Sequence, residues 1–294
     1  MASSDFELLK RFHYLSLVAR RAGGSSLVSG PRRKLPGGGT EVTGVRDYAP
    51  GDDYRHIDWT WCARRDELLT RTFEGDEDRH VYVLLDCSSS MGLGRPPKFQ
   101  LARRIAAVLG YAALTNLDRL SVAAFSDGIV AETPPLRHLS RTARLLRFLN
   151  QLAPQGTTTD LARTAEGLVR RYQRHGPVVV ISDLYDPSGF QRGLNVLRHG
   201  GYEPRLVHVH DPREARFDLL GDLELFDVES QIGQRVTVTE KAIQRYAELL
   251  GEFHRSVEAY CARHGVRRVR VAGDAPEDHV LLTVLGAKRT AAET

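Results

Sequence analysis

The hydrophobic positions follow two rhythms that change near residue 80. At the start, Phe6, Leu9, Phe12 and Leu17 fall toward one side of an amphipathic helix. Lys10, Arg11 and His13 break the run, and no small-residue cleavage site follows. The segment therefore reads as neither a membrane span nor a signal peptide, and docking on the protein's own core is favoured over membrane-surface binding. Residues 23–44 are rich in Gly, Ser and Pro and read as a loop. The stretch that follows is dense in charge and aromatic residues. Leu68–Phe73 reads as a strand, Pro50-Gly51-Asp52-Asp53 as a turn, and the rest as short elements. Trp59 and Trp61 are costly to leave in water, so Tyr48 to Arg65 is expected to pack on what comes next.

From His80 onward strands alternate with helices. His80–Asp86 is a continuous apolar run of the kind buried on both faces of a parallel sheet. A helix from Lys98 to Thr115 carries Leu101, Ile105, Val108 and Ala112 at helical spacing. A strand at 119–127 with an edge partner at 128–136 comes next, then helices at 140–152 and 160–174. Strand 176–184, helix 187–199 and strand 203–211 continue the alternation. An acidic, β-like insert occupies 212–239. A helix at 240–264 and a strand at 266–274 then close the pattern. Such alternation implies a parallel sheet with right-handed crossovers and helices on both faces. The expected architecture is α/β: a three-layer sandwich with a mostly parallel central sheet over 80–294. A small β-containing N-terminal elaboration over 1–79 is expected to pack on it.

Composition narrows the function. The 294 residues are 41% hydrophobic and 27% charged, ordinary values for a soluble protein. The net charge of +4 is a weak argument for nucleic acid. Basic residues gather at 141–147 and 163–174, but Phe148 and Tyr172 are too few aromatics for a stacking platform. Those helices read as solvated faces. Cys62, Cys87 and Cys261 are too widely spaced for a zinc motif or a disulfide framework, which fits a reducing, cytoplasmic compartment. No apolar run approaches the roughly 20 residues needed to span a bilayer.

The chemistry gathers at strand ends, where open α/β sheets bind ligands. The first strand of the alternating region ends in Asp86, Ser88 and Ser90, at i, i+2, i+4 spacing that lets one turning loop aim three oxygens at a point. Gln155 to Asp160 opens a helix and offers Thr157, Thr158 and Thr159. Ser182-Asp183 ends a later strand and supplies a second carboxylate. Carboxylates and hydroxyls suit Mg²⁺, Mn²⁺ or Ca²⁺ rather than zinc or copper. Two formal negative charges facing a divalent cation leave it a good Lewis acid toward an added carboxylate.

This pattern, D-x-S-x-S after a strand, a threonine in a helix-opening loop, and Ser-Asp after a later strand, resembles the metal-ion-dependent adhesion site of von Willebrand factor A domains. The resemblance implies metal ligands Asp86, Ser88, Ser90, Thr159 and Asp183, with Mg²⁺ or Mn²⁺ as the ion and an acidic group of a partner protein completing its shell. A narrower resemblance rests on Arg46-Asp47-Tyr48, Pro50-Gly51-Asp52-Asp53, Arg55, Ile57-Asp58-Trp59, Ala63-Arg64, Leu68–Phe73, Thr159-Asp160-Leu161, Val180–Leu184 and Asp186-Pro187. These resemble the bacterial family called domain of unknown function 58. That resemblance implies partnership with MoxR-type AAA+ ATPases in assembling or maturing other complexes. Thr159 takes the ligand role because it precedes Asp-Leu, with Thr158 in reserve.

Other readings stand beside this one. Asp86, Ser88 and Ser90 also suit a helix cap or an Asx turn. A metal-dependent hydrolase or phosphoryl-transfer enzyme using Asp86 and Asp183 is the rival function. It needs a general base, and no His or Glu lies in the three loops. There is no G-x-S-x-G elbow and no G-x-x-x-x-G-K-[ST] phosphate loop. A non-enzymatic binding module is therefore expected. His208 and His210 share a strand face and are read as packed or solvated in preference to a second metal site. The Arg46–Arg65 segment reads equally as a recognition surface and as an ion-pair-laced cover.

Overall fold

The computed structural model describes residues 2–21, 26–28, 34–49, 52–65, 67–76, 79–156, 158–215, 220–227 and 233–287. They fall into two compact units, residues 1–29 with 80–294, and residues 30–79. The chain begins with helix α1 (Ala2–Arg21), which belongs to the larger unit.

In the smaller unit β1 (Lys34–Asp47) pairs antiparallel with the strand that ends the unit, β2 (Leu69–Asp76). The loop reading of 23–44 therefore gives way to a strand from Lys34. The ladder shifts register between Pro36 and Glu41, so the glycines between them occupy an irregularity rather than ending the pairing. Between the strands lie a 3₁₀ turn (Tyr54–His56) and helix α2 (Trp59–Arg65). Asp58 caps α2 by accepting from the Thr60 and Trp61 amides at 3.1 and 3.2 Å. Its other oxygen takes the Arg71 guanidinium at 3.1 Å, and Arg46–Asp52 and Arg55–Asp53 add two ion pairs at 2.7 Å. Pro50 and Gly51 of the expected turn lie outside the described residues; Asp52 accepts the Ala49 amide at 2.9 Å. The tryptophans that their size would bury are exposed, Trp59 by 62% and Trp61 by 39%.

The larger unit is built on β3 (His80–Asp86), every residue of which is buried. Helix α3 (Lys98–Thr115), β4 (Arg119–Phe125) and β5 (Ile129–Glu132) follow, then α4 (Thr142–Gln151) and α5 (Leu161–Arg171). Next come β6 (Pro177–Ser182), α6 (Phe190–His199) and β7 (Glu203–His210). The 212–239 insert is an antiparallel hairpin, β8 (Gly221–Phe226) and β9 (Gly233–Val238). Helix α7 (Glu240–His264) is capped by the Thr239 side chain and stopped by Gly265 at φ 64°, where a residue without Cβ ends a helix at little cost. Strand β10 (Arg267–Ala272) is not the last element. Helix α8 (Glu277–Val284) follows it, which the sequence reading missed.

The main sheet runs β10-β7-β6-β3-β4-β5, parallel except for antiparallel β5. Alternate residues of the central strands face two cores. Val81, Val83, Leu85, Val179 and Ile181 meet α1, α3, α4 and α8 on one face. Tyr82, Leu84, Val178 and Val180 meet α5, α6 and α7 on the other. Helices on both faces of a mostly parallel sheet make the three-layer α/β sandwich expected from the alternation. The chain leaves β3 toward β4 but leaves β6 toward β7, so the strand order reverses between β3 and β6. That reversal opens a crevice at the carboxyl ends of these two strands.

Helix α1 packs on the core through Phe12, Leu15 and Ala19, with Phe12 against the Tyr111 ring and Arg11 paired with Asp278. Leu17, placed on the buried side by the sequence reading, is 43% exposed, and the Phe6 side chain lies outside the described residues. Among the described residues no helix is long and apolar enough to cross a membrane. Since Phe12 is fully buried, Phe12→Ala is expected to cost about 3–5 kcal/mol of stability. Leu17→Ala should stay within about 0.5 kcal/mol. Urea denaturation of both variants checks this, and equal losses would show that α1 docks by another face.

Candidate functional site

Strand β3 delivers Asp86 to the crevice at full burial, and β6 delivers Ser182 and Asp183 beside it, 1% exposed each. Three loops then close around these strand ends, held by hydrogen bonds that leave little play. Asp86 Oδ1 accepts the Ser88 amide at 2.8 Å, which curls the loop back on the carboxylate, and Asp86 Oδ2 accepts the Ser182 hydroxyl at 2.6 Å. The Ser88 and Ser90 hydroxyls meet at 3.0 Å, within reach of one ion. The 154–160 loop is clasped to the first by Gln155 N to Cys87 O and by Ser89 Oγ to Gly156 O, both 2.6 Å. Gly156 has φ 108°, and a Cβ there would stand 2.7 Å from Ser126, so this approach needs glycine. The third loop is tied to the second where Asp186 Oδ2 accepts the Leu161 amide at 2.9 Å, at the start of α5.

Each sequence-chosen residue therefore lies in this crevice or in a loop clasped to it. Ser88 is fully buried, Ser90 8% exposed and Thr159 2% exposed, whereas Thr158 is exposed. Leu184, directly after Asp183, adopts φ 65°, a strained region for a branched side chain, yet is itself buried. Its amide donates to Ser182 Oγ at 2.8 Å and the Tyr185 amide donates to Asp183 Oδ1 at 3.2 Å. Strain of this kind persists only where surrounding contacts over-determine it. Here it turns the chain sharply so that Ser182 and Asp183 both stay at the strand end.

The electrostatics are those of two carboxylates short of positive charge. Burial, and then the neighbouring Asp183, push the Asp86 carboxyl well above its ordinary range, while hydrogen bonds from Ser182 and Ser88 pull the other way. Asp183 has a partner that sequence reasoning passed over. The Lys98 ammonium, fully buried, lies 2.7 Å from Asp183 Oδ2 and 2.6 Å from Glu214 Oε1. Burial alone would lower the Lys98 pKa, but Asp183 and Glu214 more than offset it and hold the group above its ordinary value. Tyr185 completes the group, donating to Glu214 Oε2 at 2.8 Å with its ring centroid 5.0 Å from the ammonium. One signal in the sequence pointed to Lys98: it is a lysine at the first residue of α3, where the helix dipole disfavours positive charge.

The donors are all oxygen, which suits a hard divalent cation, and two buried carboxylates with serine and threonine hydroxyls fit such an ion. His208 and His210 face His254 of α7 with ring centroids 5.3 to 6.3 Å apart, and neither His208 nitrogen has a hydrogen-bond partner. Even so, among the described residues no three His, Cys, Asp or Glu side chains are grouped to hold a metal. The three cysteines are free thiols, Cys87 and Cys261 buried and Cys62 half-buried.

The sequence has known relatives. An uncharacterized protein of Mycobacterium tuberculosis is 28% identical over 208 residues, 69% of this chain and 65% of that protein, so the chain spans about two thirds of the relative's length. Among solved structures, BatB from Bacteroides thetaiotaomicron is similar at 14% identity and TM-score 0.43, over 70% of this chain and 97% of that one. A von Willebrand factor type A protein from Catenulispora acidiphila is similar at 17% identity and TM-score 0.37, over 48% of this chain and 35% of that one. A family model matches residues 44–275, most of the chain, and the protein belongs to that family, described as "Protein of unknown function DUF58".

Proposed function

We propose that the protein is a metal-dependent, non-enzymatic protein-binding module. Asp86, Ser88, Ser90, Thr159 and Asp183 would hold Mg²⁺ or Mn²⁺, and a carboxylate from the partner would complete the ion's shell. The observation that carries this reading is the mutual clasping of three loops around two buried carboxylates at the strand-order reversal. Such a frame holds its donors rigidly without any ligand, which lowers the ordering cost of binding. When bound, the ion supplies Lewis acidity toward an acidic side chain. The chain's own residues do the rest: Ser88 and Ser90 offer paired hydroxyls, and Ser182 fixes the orientation of Asp86. By the resemblance of its family to partners of MoxR-type AAA+ ATPases, the proposed partner is an ATPase of that type, and the proposed work is assembly or maturation of another complex.

The rival reading, a metal-dependent hydrolase or phosphoryl-transfer enzyme, has one observation in its favour, the raised pKa of Asp86, which suits a general acid or base. Against it, no His or Glu lies in the three loops to serve as a general base. Glu214, outside those loops, is committed to Lys98 and Tyr185.

Two outcomes follow. Millimolar Mg²⁺ or Mn²⁺ should raise the thermal midpoint, because an ion bound only by the native state stabilises it by mass action. Asp86→Ala should remove that rise. A wild-type midpoint indifferent to both ions in differential scanning calorimetry would refute the reading. In a pull-down with a MoxR-type ATPase, Thr159→Ala should lose most of the captured partner, whereas Thr159→Ser, which keeps the hydroxyl of this buried residue, should retain it, with the midpoint of each as the control for folding. Capture that is equal for wild type and Thr159→Ala, with or without chelator, would place the contact on another surface.

A further inference from the structure

The lysine beside the crevice is buried without being part of either core. Lys98 sits among Asp183, Glu214 and the Tyr185 ring, and it starts a helix whose positive end repels it. The two carboxylates and the Tyr185 ring hold it there. Its partner Asp183 has both oxygens engaged, one by Lys98 and one by the Tyr185 amide. A divalent ion approaching Asp183 therefore meets a carboxylate whose charge is already matched by a resident cation, at short range and out of water, where charge repulsion is weakly screened. Glu214 is the second carboxylate on Lys98. It comes from the short turn Pro212–Ala215 that leads to the β8–β9 hairpin, and it is tied to Lys98 and Tyr185 alike. If Asp183 turns toward an ion, Lys98 keeps Glu214 and the Tyr185 ring as partners, so the ammonium is never left buried alone.

We propose that Lys98 is the affinity-determining residue of the metal site: a built-in counter-ion that pairs with Asp183, keeps the site's hold on divalent cations weak, and passes to Glu214 when an ion is taken. This rests on the metal-binding reading given above. It explains how two buried carboxylates coexist in a folded protein before any ion arrives. It also makes firm retention of the ion depend on a further negative charge, the kind a partner's acidic side chain brings.

The test is calorimetric titration of the full chain with MnCl₂ and MgCl₂, alongside thermal melts with and without each ion. Lys98→Met removes the competing cation and should bind Mn²⁺ at least about tenfold more tightly than wild type, a shift well within what one neighbouring charge does to a site of low dielectric. Without ion this variant leaves Asp183 unpaired, so its midpoint should fall and then recover with Mn²⁺ by more than the wild type gains. Glu214→Gln leaves Lys98 without its second carboxylate and should weaken Mn²⁺ binding. Opposite shifts in the two variants are the signature, because a merely structural role for the network would weaken both. If Lys98→Met does not fold even with ion, Glu214→Gln decides alone: weaker binding supports the proposal, and unchanged or tighter binding overturns it. Wild-type binding with a folded Lys98→Met of equal or lower affinity overturns the role of Lys98 and leaves the metal site standing. No ion binding by wild type or either folded variant removes the metal reading, and this inference with it.

Discussion

Two carboxylates at adjacent strand ends, both shut away from water, set the terms for the rest of this structure. Asp86 is fully buried and Asp183 nearly so, and burial together with the neighbouring Asp183 destabilises the charged form of Asp86. Burying like charges together costs several kcal/mol unless a cation or a proton answers them. The fold answers in part. Hydroxyl and amide donors from Ser88, Ser182 and Tyr185 point at the carboxylates, and a buried lysine is brought in from α3. A globular domain has no packing reason to assemble such a site, because replacing these groups with apolar side chains of similar size would serve stability as well or better. In the proposed function the bound cation gives the arrangement its reason.

The sheet makes the site possible by its topology. Strands β3 and β6 lie side by side at the centre, their crossovers depart in opposite directions, and the gap between their carboxyl ends is left open to loops. Those loops are short of freedom. Gly156 allows the second loop to approach Ser126, Leu184 accepts a strained backbone, and Asp186 reaches across to the start of α5. Asp186 ties the loop after Asp183 to the start of α5, and Lys98 with Glu214 ties Asp183 to the turn that leads to the β8–β9 hairpin.

Much of this was legible in the sequence, for identifiable reasons. Continuous apolar runs such as His80–Asp86 and Pro177–Ser182 announce strands buried on both faces, and oxygen donors directly after them mark the ligand edge of the sheet. What stayed hidden depends on contacts distant in sequence. Glu214 reaches Lys98 across 116 positions, and no local pattern records that. The Gly-rich stretch before residue 45 looks like a loop because glycine weakens strand propensity, yet β2 supplies the partner that holds it extended. On α1 the helical period placed Leu17 inward, but the face is fixed by where Phe12 meets Tyr111, and Leu15 takes the inner place. The exposure of Trp59 and Trp61 has no account in size or hydropathy.

The most direct test of the central claim is crystallographic. Crystals grown or soaked with Mn²⁺ should show one anomalous peak in the crevice among Asp86, Ser88, Ser90, Thr159 and Asp183, in contact with their oxygens. Absence of a peak there in a well-ordered crystal at millimolar Mn²⁺, or a peak only at the His208, His210 and His254 cluster, would contradict it.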